Sequence, residues 1–367
     1  MLTATKPDYR TGVSLHGHTV YSRESLRFLD VLARRSWMLR SLLERGRRQF
    51  RNKFRTDLVL ERGWWTPPLG EHQALLLERE QLEGLGLESI VSLTDHDNST
   101  AGLVLRGVGF SAEKVPVSLE WSLPYRSSEL HLGIHNIPAD IAVDLTRLLN
   151  EYTRRPCASG PAAILEHIAA YEGSLVVLNH PLWDETHVGG DIHLQAVRDL
   201  LTTCGAFIHA LEWNGLRSRR ENLRVVGLAE AWSKSIVSGG DRHTSEPNTC
   251  INLTDASSFS EFAEEVRSGH STVMILPAYW EPATLRVTRM VIDVLAEHPE
   301  HPRGWMRWSD RVFYAAKGVS PRSLTSLFQD GSTATLGLLD RATMYLPASA
   351  LSDMARLTTV GRQPVYL

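Results

Sequence analysis

Residues 87–98 read LESIVSLTDHDN: an apolar, strand-forming run that stops in two carboxylates flanking an imidazole, Asp95, His96 and Asp97. Asp and Asn close turns and cap helices, so residues 91–98 taken alone read as a turn. Comparable runs elsewhere change that meaning. TGVSLHGH (11–18), EKVPVSLEW (113–121), ELHLGIHNI (129–137), GSLVVLNHP (173–181), GAFIHALEWN (205–214) and SKSIVSGGDRH (233–243) share the strand character. Between several of them lie amphipathic stretches, EHQALLLEREQLEGLG (71–86), AAILEHIAAYEG (162–173) and HLQAVRDLLTTCG (193–205). Strand, helix and strand at this spacing predict βαβ units with a parallel sheet. About seven strands fit a closed or nearly closed barrel better than an open sheet.

Six of the seven runs carry a metal-capable residue at or near the C-terminal end: His16 and His18, His96, Glu120, His131, His180, and Asp241 with His243. That rim is where a β/α barrel builds its site. In an extended strand residues two apart share a face, so His16 and His18 are expected to aim together, as are Asp241 and His243. Any one of these histidines reads equally well as a satisfied core or surface group. The recurrence at strand ends favours a site.

Composition bounds the chemistry. The 367 residues are 43% hydrophobic and 22% charged, enough to bury a large core in one α/β domain or two smaller ones. No apolar run approaches the roughly 20 residues of a membrane helix, and MLTATKPDYR lacks the plan of a signal peptide, so the expected compartment is the cytoplasm. Cys157, Cys204 and Cys250 are far apart and form no CxxC pair, which leaves nitrogen and oxygen donors for any metal. A net charge of −3 with 15 histidines argues against polyanion binding by bulk charge.

The set HGHTVYS (16–22), TDHD (94–97), Glu120 with His131 eleven residues on, NHP (179–181) and GGDRH (239–243) resembles the PHP family, named for polymerase and histidinol phosphatase. The match spans about residues 13 to 280. The resemblance implies a distorted (β/α)7 TIM-like barrel holding two or three divalent ions, commonly manganese, iron or zinc, and hydrolysis, most often of phosphate esters. It implies that His16, His18, Glu120 and Asp241 bind one ion, that Glu120 bridges to a second held by His131 and His180, and that His96 and His243 hold a third. The family pattern continues from its serine into an aspartate for the third ion, whereas Ser22 here is followed by Arg23 and Glu24. Either Glu24 substitutes, or the centre is dinuclear. Arg23 then offers a guanidinium fork to a substrate phosphate.

Imidazole and carboxylate in this ratio suit zinc, iron or manganese, and ions sharing a bridging glutamate acidify a shared water and neutralise phosphoryl oxygens. Asp95 and Asp97 read either as proton-handling groups beside His96 or as local turn ligands. Arg242 is a substrate contact only if it departs from strand alternation. His135 reads as packing or support for His131, Glu212 and Asn214 as support or substrate contacts, and His167, His187, His209 and His270 as structural or surface groups.

Residues 23–62 hold 12 Arg or Lys against 5 Asp or Glu. Leu26, Leu29, Leu32, Leu39, Leu42 and Leu43 recur near helical spacing among the arginines, which predicts a basic helical insertion at about 23–70. It reads as a lid over a phosphorylated substrate, a helix docked on the barrel or an oligomer contact. Nucleic-acid binding is less favoured, with Trp37, Phe50 and Phe54 the sparse aromatics. Residues 281–367 are expected to pack on the barrel as an extension, with Trp280, Trp305 and Trp308 as cover. The expected activity is a metal-dependent phosphomonoesterase on a small phosphorylated metabolite. The alternatives are a phosphodiesterase or exonuclease, hydrolysis of a carbon–nitrogen bond, and a metal-bound scaffold without turnover.

Overall fold

The structure, a computed structural model, describes residues 8–35, 37–157, 160–315, 320–328 and 363–367. The expected segment ATMYLPASALSDMARL and the end of RVFYAAKGV lie outside the described residues, as do the side chains of Leu32, Leu39 and Leu42. Strands follow in the order β1 Thr11–Leu15, β2 Glu24–Ser25, β3 Gly63–Trp65, β4 Glu88–Ser92, β5 Leu119–Tyr125, β6 Ser128–His135 and β7 Leu175–Asn179. They continue with β8 Ala210–Asn214, β9 Ser235–Gly239, β10 Cys250–Thr254, β11 Thr272–Ile275, β12 Val312–Tyr314, β13 Arg322–Ser323 and β14 Val365–Tyr366. The expected helices form over Glu71–Gly84, Ala162–Ala169 and Gly190–Cys204.

The strands build two five-stranded sheets, ordered β14-β11-β10-β1-β4 and β5-β6-β7-β8-β9, and a small sheet β13-β12-β3-β2. Among the described residues the ladders do not run on continuously as a closed (β/α)7 barrel. The isolated bridges Gly17↔Arg242 and His96↔Glu120 link the two large sheets. Parallel pairing holds for β1 with β4, β7 with β8 and β8 with β9, whereas β5, β6 and β7 run antiparallel. The cause is local: Tyr125 pairs with Ser128, leaving Arg126 and a serine as the turn, with Arg126 at φ 55. Two residues can close a hairpin but cannot carry a crossover helix.

The two large sheets share one interior. Val13, Leu15 and Ile90 of the first pack with Leu175, Val177, Ala210 and Val237 of the second, sealed by Phe259 and Phe262 of the helix Phe259–Arg267. Outside the second sheet, Leu119, Trp121, Leu132 and Leu211 bury against Leu149, Leu165, Val197 and Leu200. Burial of an aliphatic side chain stabilises by about 1.5–3 kcal/mol, so these layers fix where the strand ends emerge. The basic segment folds as the helices Phe28–Arg35 and Trp37–Phe54, with Phe50 buried against Phe54 and Tyr314. Trp37 is 82% exposed. Beyond residue 280, Trp305 packs edge-on against Phe313, whose ring stacks on Trp64.

Candidate metal centre

At the C-terminal ends of β1, β7 and β9 the chain turns sharply. His16, His180 and Asp241 all sit at positive φ, 65°, 26° and 51°. Side chains other than glycine rarely occupy that region, and where they do the surroundings must hold them there. This corrects the expectation from strand alternation. β1 ends at Leu15 and β9 at Gly239, so His16 with His18, and Asp241 with His243, converge through turns beyond the strands. His131 and Glu120 also depart from the end-of-strand rule. His131 lies inside β6 and Glu120 near the start of β5, because these antiparallel strands bring other parts of their length to the same rim.

Glu120 is fully buried at the junction. Its Oε2 lies 3.0 Å from His16 Nε2, 3.4 Å from His18 Nε2 and 3.4 Å from His96 Nε2. Its Oε1 lies 3.4 Å from His131 Nδ1 and 3.3 Å from His180 Nε2. Asp241 Oδ1 stands 3.6 Å from both His16 Nε2 and His18 Nε2, and 3.5 Å from His243 Nδ1. Glu24 enters from β2, its Oε2 3.1 Å from His243 Nε2 and 3.4 Å from His96 Nε2. All eight ligand candidates are therefore brought together, with Glu24 as a ninth.

Opposed forces set the charges. Burial disfavours the charged imidazole of His16, but Glu120, Glu212 and Asp241 outweigh it and hold its pKa well above the usual value. His96 is likewise pushed up to about 10 by Glu120 and Glu24 against burial, while burial and the neighbouring His243 bring His18 down to about 4. Glu120, Glu24 and Asp241 resist burial because the surrounding imidazoles favour their ionised forms, so all three lie well below the carboxylate range.

The donors fit divalent cations. Among the described residues His18 Nε2 and His131 Nδ1 are buried without a hydrogen-bond partner, which is costly unless something accepts their lone pairs. Ligand atoms of His16, His18 and Glu120, of His16, His180 and Asp241, of His18, Glu24 and His243, and of His96, Glu120 and His131 lie within 4.8 Å of one another in each group. Nitrogen and oxygen donors in this mixture suit zinc, iron or manganese.

A supporting layer orients these rings. Glu212 Oε1 accepts from His16 Nδ1 at 2.5 Å, and its Oε2 accepts from the His180 backbone N–H at 2.7 Å. Asn214 Nδ2 donates to Glu212 and to Asp241, and Asn179 Nδ2 donates to Glu120 at 2.9 Å. Gly239 must be glycine, since a Cβ there would fall 1.6 Å from Glu212 Oε1. His193, with no motif to mark it, accepts from Ser128 and donates to the Pro181 carbonyl, bracing the turn that carries His180.

Four expected residues turn elsewhere. Asp95 accepts from the Thr19 amide and hydroxyl, tying down the loop after His18, and burial pushes its carboxyl up to about 7 against those bonds. Asp97, at φ 52, accepts from the Ser122 amide. Arg23 is exposed, its guanidinium 5.0 Å over the Trp64 ring, because Glu24 takes the inward face of β2. Arg242 is buried on an ion pair with Glu78 at 3.1 Å. His135 bonds Ser92, and His167 bonds Tyr171.

Besides His193, three residues near the ligands carry no signal used in the sequence analysis. Arg217 stacks 3.8 Å over Trp183 with Nη2 3.6 Å from Asp241 Oδ2. Glu129 and Glu185 lie 3.7 and 3.5 Å from His131 Nε2. Glu129 precedes His131 by two in its strand, so alternation could have placed it. Arg217 and Glu185 sit in loops, where spacing carries no such signal.

No protein-family model matches the chain, and no curated protein matches it. Among solved structures, PsfC from Pseudomonas syringae is 12% identical, with TM-score 0.40, covering 71% of this chain and 95% of that one. A structure described as a metal-dependent phosphoesterase from Bifidobacterium adolescentis is 13% identical, with TM-score 0.35, over 72% of this chain and 98% of that one. An amidohydrolase from Chromobacterium violaceum with bound sulfate is 13% identical, with TM-score 0.33, over 49% and 84%. Likeness of this degree carries no argument about activity. Among the described residues, no helix is long and apolar enough to cross a membrane.

Proposed function

We propose that the chain is a metal-dependent hydrolase, a phosphomonoesterase acting on a small phosphorylated molecule. On this reading residues 1–280 form the catalytic unit, with the basic insertion and residues 281–367 added to it. The observation that carries the reading is Glu120, a buried carboxylate whose two oxygens each face a different set of imidazoles. Two or three divalent ions held there would supply an acidified water and a positive clamp for phosphoryl oxygens.

The chain's own groups do the rest. Glu212 and Asn214 fix the ring of His16 and the carboxylate of Asp241, which raises ligand basicity and limits motion. Arg217, flattened on Trp183, presents a fork beside Asp241 that suits a phosphoryl oxygen. His16 to Ser22 and His96 are laced together through Asp95 and the Ser22 hydroxyl, so the two motifs move as one.

Elemental analysis of the purified protein should find two or three transition-metal ions per chain. With manganese supplied, phosphate should be released from monoesters in preference to diesters and nucleotides, and Asp241→Asn should abolish release. Preference for diesters would move the assignment to a phosphodiesterase. Bound metal with no turnover on any ester would leave a scaffold.

A further inference from the structure

A narrow cleft of about 40 Å³ opens beside Asp241 and His243, between the turn that follows β9 and the helix Ala283–Leu295. Arg286 and Arg289 of that helix line it, with Met290 and Leu216. The two arginines differ in what they meet. Arg289 is neutralised, its Nε 3.0 Å from Glu246 and its Nη2 2.6 Å from Glu281. Arg286 is 5% exposed, and among the described residues no carboxylate lies within ion-pair distance of it. Its Nη1 donates to the Gly215 carbonyl and its Nη2 to that of Arg217 at 3.5 Å, while Nε has no partner. The Tyr279 ring lies beneath it, 4.9 Å away.

A guanidinium carries five N–H donors, and burying one without a counter-ion is costly. Arg311 shows a purely structural solution: its Nε is unpartnered too, but the carbonyls of Trp305, Met306, Val294 and Ala296 close around its two Nη atoms. Arg286 has half that set, and it lines a cleft whose other wall carries Asp241 and His243 of the candidate centre. We propose that Arg286 is a second anion subsite and that the substrate is a small molecule with two anionic ends: the ester phosphate at the metals, and a carboxylate or second phosphate on Arg286. This rests on the esterase reading for the first end. Arg289, held by its two carboxylates, walls the subsite and keeps the pocket from becoming a general sink for anions.

Calorimetry on the manganese-loaded protein tests the subsite without turnover. Malonate, with two carboxylates, should bind at least tenfold more tightly than acetate. Arg286→Gln should remove that advantage while changing acetate affinity less than twofold. Met290→Trp, which fills the cleft and leaves the charge, should remove it as well and stands in should Arg286→Gln fail to fold. Equal affinity of the wild type for both anions, or equal weakening of both in the variants, overturns the subsite. Phosphate release from a panel of monoesters, with and without a second anionic group, by the same samples reads the other premise: its absence on every ester sinks the esterase and leaves the malonate comparison standing.

Discussion

Glu212 accepts the Nδ1 proton of His16 at 2.5 Å and thereby turns Nε2 of the same ring toward Glu120. The ring's tautomer and direction are set from behind, by a residue that also accepts from the His180 amide and reaches Asp241 through Asn214. Glu212→Gln should weaken binding of the most tightly held ion by about 10–100-fold, the usual cost of losing such a partner. Competition with a chelator of known affinity measures it, and unchanged affinity refutes the role. Gly239→Ala should behave alike, because its Cβ takes the space of the Glu212 carboxylate.

Glu24 and Arg23 are neighbours with opposite faces. Glu24→Ala should cost one ion per chain by elemental analysis while the ions around Glu120 remain. Arg23→Ala should leave the stoichiometry unchanged, since its guanidinium stacks outward on Trp64. Equal loss in both variants would contradict the geometry.

Removing the ions should destabilise the fold. Buried carboxylates and imidazoles left without a cation must take up protons or repel, and a ligand at 100 times its Kd contributes about 2.7 kcal/mol per site. Chelator-treated protein should therefore melt at lower temperature and recover with manganese. Superimposed melting curves would argue that the cluster binds nothing.

His135 gives a pH dependence separable from the ions. Burial, with His16 nearby, lowers its pKa to about 3, so the folded protein keeps the ring neutral. The unfolded chain titrates near 6.5 and takes up the proton first as pH falls. This contribution is complete above about pH 6.5 and is lost toward pH 3, at about 1.4 kcal/mol per pH unit. In chelator-treated protein, His135→Gln should flatten the fall in denaturation midpoint between pH 6.5 and 4; parallel slopes would show that His135 does not control it.

Much of the candidate centre was legible in the sequence. His16, His18, His96, Glu120, His131, His180, Asp241 and His243 stood out because imidazoles at the ends of apolar runs have few packing reasons to recur. The means of convergence was less legible. Strand alternation names the right pairs, yet His16 and Asp241 reach the centre through left-handed turns, and a positive φ at a histidine or aspartate has no sequence signature. The antiparallel β5-β6 hairpin was hidden in two runs that read as separate parallel strands, since the two-residue turn beginning at Arg126 lacks the usual Asn-Gly. Arg217 and Arg286 were hidden because a lone arginine in a loop or helix is most often a solvated one.

The small sheet joins distant parts of the chain. β2 carries Glu24, β3 backs it, and β12, some 250 residues later, backs β3. A polypeptide emerging from a ribosome would have all the histidine ligands outside long before Val312–Tyr314 appeared. The last carboxylate of the candidate centre is thus steadied only once Val312–Tyr314 has been made, about 70 residues after His243.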